Sequence, residues 1–270
     1  MLHTHHYYHF YYRNLTTRNR FKVVDNHPIQ VDILLPPGLK EGKHPLIIAY
    51  HGGYLIAGAR NHYRFMASWL PAYAASTSAI IVSPDHRLLP SATVPDILSD
   101  LEDLWEWIHK SLPAVLASQV PQFSVDLDHI LVQGSSAGGF NAAHLALSHC
   151  ADVRAAILVY PMVDCLMDYL ANGPPEAKIP NAGPNTSGGL WIGDVLDSKI
   201  DLARKSGWAT QRISPEGLLL TQSIMKGGRF GHVFGSDKRN NPLDRARDQS
   251  ETSGLPAKMY VVFLLISCRF

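Results

Sequence analysis

Residues 133–139, with the sequence Gln-Gly-Ser-Ser-Ala-Gly-Gly, constrain the fold of this chain more than any other feature. An apolar run at residues 130–132 precedes them, and a helix-like segment at residues 140–149 follows. A strand, a tight Gly-x-Ser-x-Gly turn and a helix together hold the serine with its Oγ exposed above a sheet. The two glycines suit such a turn because a Cβ at either position would collide with the neighbouring strand or helix. We therefore predict that Ser136 is a nucleophile; an ordinary glycine-rich turn is the alternative.

A second short motif, His51-Gly52-Gly53-Tyr54, ends another apolar run. Acyl transfer builds negative charge on a carbonyl oxygen, and preorganised N–H donors stabilise that charge. Glycines directly after a strand let the amides of Gly52 and Gly53 turn toward such an oxygen, and Ala137, after the predicted nucleophile, supplies a further N–H. We predict that these three amides form an oxyanion hole and that His51 orients the loop. A plain strand-ending turn is the alternative.

Three blocks of the chain resemble the α/β-hydrolases of the hormone-sensitive-lipase-like group, a set of carboxylesterases and lipases. Residues 51–54 resemble its HGG(G) loop, although Tyr54 stands where many members have a third glycine. Residues 85–90 resemble its D-Y-R-L-A-P block. Residues 134–139 resemble its G-D-S-A-G-G elbow, with Ser135 in place of the usual aspartate. The resemblance covers residues 20–164.

This resemblance implies an esterase fold in which Ser136 is the nucleophile and Gly52, Gly53 and Ala137 are the oxyanion donors. It also implies that Asp85 and Arg87 brace the loop beside the site. The alternative for these two residues is a solvated surface pair.

Short apolar runs alternate with helical patterns along the chain, which predicts a doubly wound α/β sheet. The predicted strands are residues 46–50, 79–82, 130–132 and 155–160; the predicted helices are residues 62–75, 94–110 and 140–149. Residues 21–24 and 29–35 predict a hairpin around Asp25-Asn26. We predict the α/β-hydrolase fold, with a mostly parallel central sheet and helices on both faces. Ligands bind beyond the carboxyl ends of such strands, where His51 and Ser136 fall.

Composition limits the function classes. A net charge of +1 gives no argument for a nucleic-acid partner. Three cysteines form no even set of bridges, and no apolar run reaches the length of a membrane span. Residues 1–12 lack the pattern of a signal peptide, so a cytoplasmic location is favoured. We expect no metal and no cofactor; the sequence fixes no oligomeric state.

The domain organisation is predicted as a flexible N-terminal tail at residues 1–19 and one domain at residues 20–270. Residues 165–254 are rich in Gly and Pro and read as an insertion, with one or two amphipathic helices within residues 191–203. An insertion this long is typical of a lid or of a partly disordered segment, and both readings stay open. The glycines of residues 227–231 predict a turn.

The general base is the difficulty. A serine nucleophile needs a histidine and a carboxylate, in the chain order Ser, acid, His. Residues 255–263 predict a further strand, after which the family places its acid and later its histidine, but no histidine follows His232. We therefore expect a chain shortened at its C-terminus, without the last strand or strands, whose activity is doubtful. Asp164 and His232 obey the required order as a substitute pair; a loop brace and a surface residue are the alternative.

Three functions remain open from the sequence. The first is a carboxylic-ester hydrolase that acts on a small-molecule ester through an acyl-enzyme on Ser136. The second is a catalytically impaired protein of the same fold that binds an apolar small molecule. The third is a non-functional fragment.

Overall fold

The computed structural model describes residues 16–62, 64–173, 189–252 and 259–262. A seven-stranded sheet lies at its centre, in the order β1-β2-β4-β3-β5-β6-β7. The strands are β1 (Thr16–Val24), β2 (His27–Leu34), β3 (Gly42–Tyr50), β4 (Ile80–Pro84), β5 (Phe123–Ser135), β6 (Val153–Val159) and β7 (Met259–Val262). β2 is antiparallel to β1 and β4, and the strands from β4 to β7 run parallel to one another. The predicted α/β sheet is confirmed.

Helices cover both faces of this sheet. They are α1 (Leu70–Thr77), α2 (Val94–Lys110), α3 (Leu112–Gln119) and α4 (Ala137–Ser148). The side chains of α2, α3 and α4 pack with Ile48, Val82 and Val132 in the larger core cluster. Those of α1 pack with Ile47 and Ile81 on the other face. Consecutive strand residues are therefore buried on opposite faces, which is why these strands read as continuous apolar runs.

The hairpin of β1 and β2 forms where the sequence predicts it. Asp25 and Asn26 both have positive φ, 47° and 65°, as a two-residue hairpin turn requires. The predicted N-terminal tail, however, extends too far. Thr17 pairs with Ile33 and Asn19 with Val31, so residues 16–19 belong to β1. The polar side chains of residues 16–19 show no strand pattern in the sequence, and this part of β1 forms through its pairing with β2. Residues 1–15 lie outside the described part.

One predicted helix starts too early. The pattern at residues 62–75 predicts a helix throughout, but α1 begins at Leu70, with Pro71 in its first turn. Residues 64–69 form turns instead, because the Phe65 carbonyl accepts a hydrogen bond from Gly52 N at 2.8 Å. Tertiary contact with the loop after β3 overrides the helical pattern here.

The described residues between β6 and β7 are largely helical. It contains α5 (Asp168–Asn172), α6 (Gly193–Lys205), α7 (Pro215–Lys226), α8 (Phe230–Phe234), a 3-10 turn (Lys238–Asn240) and α9 (Pro242–Thr252). Leu196, Ile224 and Phe230 of this segment pack in one buried cluster with Leu55 and Phe140. The insertion thus contacts the loop after β3 and the helix after β5. No described helix is long and apolar enough to cross a membrane.

Candidate active site

Ser136 occupies the turn between β5 and α4 in a strained conformation, with φ 55° and ψ −121°. Positive φ is unfavourable for a residue with a Cβ. Neighbouring backbone holds it there: Ser136 N donates to Val159 O at 3.0 Å, and Met162 N donates to Ser136 O at 3.0 Å. The turn that the sequence predicts is therefore present, and it is fixed by the end of β6.

The glycines around Ser136 allow backbone segments to approach closely. A Cβ on Gly134 would lie 1.9 Å from the Gly138 carbonyl oxygen. A Cβ on Gly138 would lie 2.3 Å from the carbonyl oxygen of Tyr50, at the end of β3. Both contacts are far inside van der Waals distance, so neither position can carry a larger residue without movement of the backbone.

The loop after β3 lies directly beside Ser136. A Cβ built on Gly52 would be 3.8 Å from Ser136 Cβ. The Gly52 amide donates a hydrogen bond to the Phe65 carbonyl and thereby stabilises the loop. It is therefore not free to act as an oxyanion donor, which is the role that the sequence predicts for it. In the described part of the chain, the amides of Gly53, Tyr54 and Ala137 have no hydrogen-bond acceptor.

Tyr54 is therefore a residue that sequence reasoning missed. The motif indicates oxyanion donors through its glycines, but the backbone N–H of any residue except proline can also donate. Gly53 has φ 118°, and a Cβ on it would lie 2.1 Å from the Ala57 carbonyl oxygen. This tight turn sets the direction of the amides that follow Gly52.

His51 is buried beneath the loop and stacks on His86, with ring centroids 4.7 Å apart and planes at 11°. His51 Nδ1 donates to Gly52 O and His86 Nδ1 donates to Arg87 O, both at 2.8 Å. Burial lowers the pKa of His51 and, with its neighbour's charge, lowers the pKa of His86 to about 3. Both shifts favour the neutral form of each ring, which agrees with an orienting role for His51. His86 replaces the tyrosine of the family's block, and nothing in the sequence indicated the stack.

Asp85 braces the loop after β3 through Arg60. Its Oδ1 accepts from Arg60 N at 2.9 Å, and its Oδ2 pairs with the Arg60 guanidinium. Gln211 Nε2 donates to the same Oδ2 at 2.8 Å. Arg60 Nε also forms an ion pair with Asp32 at 3.0 Å. Asp85 and Arg60 are each 1% exposed, so the solvated-surface alternative does not apply to Asp85.

Arg87 is also buried, and it fixes α2 rather than the loop. Its guanidinium binds Asp100 through Nε and Nη2 at 3.0 and 2.9 Å. Its Nη1 donates to Asp96 at 3.0 Å, and the ring of Trp208 lies 5.1 Å away. Arg87 therefore joins the segment after β4, the first turns of α2 and the insertion.

Asp164 and His232 are not brought together. Asp164 is half-buried and accepts from Asn241 Nδ2 at 3.3 Å, which makes it a loop brace. His232 is exposed on α8, and its Nε2 contacts Arg204 Nη1 at 3.3 Å. Within the described ranges, no hydrogen bond links either residue to Ser136 or to the other. Of the strand expected at residues 255–263, residues 259–262 form β7, and residues 255–258 and 263–270 lie outside the described part.

A serine on the turn between β5 and α4, facing a glycine loop that follows β3, defines the α/β-hydrolase class. The sequence profile of the alpha/beta hydrolase fold family matches residues 47–184, about half of the chain. The chain belongs to this family, and the resemblance to its hormone-sensitive-lipase-like group is confirmed.

Two fungal relatives are carboxylesterase-like. A probable carboxylesterase from Phoma sp. is 40% identical over 141 residues, which are 51% of this chain and 44% of that protein. A probable carboxylesterase from Cochliobolus lunatus is 52% identical over 73 residues, 27% of this chain and 34% of that protein. The chain thus spans less than half the length of either relative.

Two solved structures share the fold. A protein of unknown function from Staphylococcus aureus aligns with a TM-score of 0.58 at 15% identity, over 91% of this chain and 78% of that one. A thermostable carboxylesterase cloned from a metagenomic library aligns with a TM-score of 0.52 at 19% identity, over 93% and 79%.

Proposed function

We propose that Ser136 is the nucleophile of a serine carboxylic-ester hydrolase. The observation that carries the proposal is the strained serine turn with unpaired amides beside it: Ser136 has φ 55°, and the amides of Gly53, Tyr54 and Ala137 have no acceptor among the described residues. Preorganised donors of this kind stabilise the oxyanion of acyl transfer. The carboxylesterase-like relatives support the same class.

The reaction follows the acyl-enzyme route. Ser136 Oγ attacks the ester carbonyl carbon, and its proton passes to a general base. The carbonyl oxygen becomes an oxyanion held by the amides of Gly53, Tyr54 and Ala137. The C–O bond to the alcohol breaks, and the alcohol leaves with the proton. Water then attacks acyl-Ser136, releases the carboxylic acid and restores the serine hydroxyl.

We assign the general base to no described residue. His51 and His86 use their Nδ1 protons on backbone carbonyls beneath the loop. Asp164 and His232 hold other partners. A small-molecule ester remains the proposed partner, and the proposal needs neither a metal nor an organic cofactor.

The insertion at residues 165–254 is proposed to be a cap on one α/β-hydrolase domain. Its helices share a buried cluster with Leu55 and Ala137, which directly follow Tyr54 and Ser136 in sequence. A cap at this position walls the space into which an ester bound at Ser136 would project.

A second candidate is a small-molecule binder without turnover. It is favoured by one observation: no described histidine is hydrogen-bonded to Ser136. Such a protein would keep the oxyanion amides as donors to a ligand carbonyl. Saturable binding of an apolar ester without release of product would distinguish it from a hydrolase.

Covalent labelling tests the nucleophile. A fluorophosphonate forms a P–O bond to an activated serine Oγ and releases fluoride, so mass spectrometry of the labelled peptide locates the reactive serine. We expect the label on Ser136, its loss in Ser136→Ala and its retention in the adjacent control Ser135→Ala. Equal labelling of all three chains, or no labelling of the unmodified chain, would refute the nucleophile.

A further inference from the structure

Two tyrosines near Ser136 share an unusual conformation. Tyr54 has φ 59° and Tyr160 has φ 37°, values that are true outliers for bulky side chains. Core packing does not explain the strain, because Tyr54 is 40% exposed and Tyr160 is 46% exposed. Strained residues of this kind persist at ligand sites where the surroundings hold them in place.

The sheet topology places these tyrosines on opposite sides of the serine. β5, which ends at Ser135, lies between β3 and β6. Tyr54 follows β3 by four residues, and Tyr160 follows β6 directly. Val159, the neighbour of Tyr160, accepts the hydrogen bond from Ser136 N. Tyr54 and Tyr160 therefore lie at the carboxyl edge of the sheet, one on each side of the strand that leads to Ser136.

The start of α5 adds apolar surface on the Tyr54 side. Burial is the main cause that raises the pKa of Tyr54, and the nearby phenol of Tyr169 raises it further. Tyr169 is 59% exposed and Met167 is 46% exposed. The exposed ring of Tyr169 therefore adds aromatic surface on the Tyr54 side of Ser136.

We propose that Tyr54 and Tyr160 form an aromatic slot that selects esters carrying a planar aromatic ring next to the ester group. The inference rests on the proposed role of Ser136 as the site where the ester carbonyl binds. Offset-stacked and edge-to-face ring pairs give attraction beyond that of buried area alone, so a flat aromatic ring gains over a saturated ring of the same size. Tyr54 stands where many family members have glycine, so this side of the slot belongs to this chain.

Binding to the Ser136→Ala chain tests the slot without turnover. Calorimetry would compare benzyl acetate with cyclohexylmethyl acetate, and ethyl benzoate with ethyl cyclohexanecarboxylate. The first pair places the ring in the alcohol and the second places it in the acyl group. We expect about two- to tenfold tighter binding of the aromatic member of at least one pair. Equal affinities within both pairs would overturn the proposal.

Matched variants assign the preference to the tyrosines. In the Ser136→Ala background, Tyr54→Phe and Tyr160→Phe should keep the preference for the aromatic ester. Tyr54→Leu and Tyr160→Leu should reduce the ratio of aromatic to saturated affinity toward one. Tyr54→Gly and Tyr160→Gly should lose the preference while folding normally, because glycine adopts positive φ without strain. A preference unchanged in both Leu variants and both Gly variants would refute the assignment.

The same esters distinguish a failure of the proposed hydrolysis from a failure of the aromatic slot. If the unmodified chain releases no product from any of the four esters while the ring preference persists, hydrolysis fails and the slot stands. If product forms but no ring preference exists, the slot fails and hydrolysis stands.

Discussion

Backbone strain is concentrated at the residues around Ser136. Seven non-glycine residues have positive φ in the described part of the chain. Four of them, Tyr54, Leu55, Ser136 and Tyr160, belong to the loop after β3 or to the turns after β5 and β6. The other three have ordinary explanations, since two form the β1–β2 hairpin turn and Ser78 ends α1. Strain that turn chemistry does not explain therefore marks the candidate site.

Gly134→Ala should disrupt the serine turn by steric collision. The added Cβ would meet the Gly138 carbonyl 1.9 Å away, and backbone cannot yield as a flexible side chain can. We expect a loss of more than about 3 kcal/mol in the free energy of unfolding, or failure to fold. Urea denaturation followed by circular dichroism measures it.

Gly38→Ala is the matched control for this collision. Gly38 has φ 75° but no atom within 4 Å of an added Cβ, so only backbone strain opposes alanine there. The expected cost is about 1–2 kcal/mol. Equal losses in the two variants would show that close packing at Gly134 is unimportant.

His86 should make the fold sensitive to acid. The ordinary histidine pKa is 6.5, and that of buried His86 is about 3. Between these values the unfolded chain binds a proton that the folded chain does not, so the free energy of unfolding falls as pH falls from 6.5 toward 3. His86→Phe keeps a ring stacked on His51 and removes this proton.

The test compares the free energy of unfolding of both chains at pH 7 and pH 4.5. We expect the unmodified chain to lose about 2.5 kcal/mol more than His86→Phe over this interval. Identical pH dependence would mean that His86 accepts a proton in the folded state without difficulty.

At the residue scale, the sequence locates what lies within a motif and misses what lies across the fold. The Ser136 turn follows from a local pattern. The contacts of Asp85 with Arg60 and of Gly52 with Phe65 do not follow from local patterns, because each depends on how the loop after β3 packs. For this reason the sequence predicts Gly52 N as an oxyanion donor, whereas in the structure it donates to the Phe65 carbonyl.

At the scale of elements, local signals separate the correct helix from the misplaced one. α2 has the predicted bounds, since Thr93 caps it and Asp96 completes a capping box. The helix predicted from residue 62 begins only at Leu70. Pro71 was the available signal, because proline is favoured in the first turn of a helix.

Arg212 should hold the insertion onto the loop after β3. Its guanidinium donates to the carbonyls of Ile56 and Leu89, and its backbone pairs with Gly58 in both directions. Burial lowers its pKa to about 10. Arg212→Met leaves two buried carbonyls unpaired, for which we expect a loss of about 1–3 kcal/mol in stability.

Arg239→Met provides the control for Arg212. The Arg239 side chain is 87% exposed and pairs with the nearby Asp237, so its loss should cost no more than about 1 kcal/mol. Urea unfolding of both variants makes the comparison. The proposed role of Arg212 in holding the insertion onto the loop after β3 would be refuted if Arg212→Met were no less stable than Arg239→Met.

At the scale of the whole molecule, the sheet was predictable and the insertion was not. Continuous apolar runs identify strands that are buried on both faces, and strands alternating with helices identify the layered architecture. In residues 165–254 the sequence predicts only one or two helices. The short helices α5 and α8 are stabilised by the cluster around Phe140 and Phe230, which is formed by residues distant in the chain.

Ester hydrolysis that depends on Ser136 is the most direct test of the central claim. The rate of p-nitrophenyl butyrate hydrolysis would be measured for the unmodified chain, Ser136→Ala and the adjacent control Ser135→Ala. We predict hydrolysis above the uncatalysed rate that is lost in Ser136→Ala and kept in Ser135→Ala. Equal rates in the unmodified chain and Ser136→Ala would contradict the account and leave the chain without esterase function.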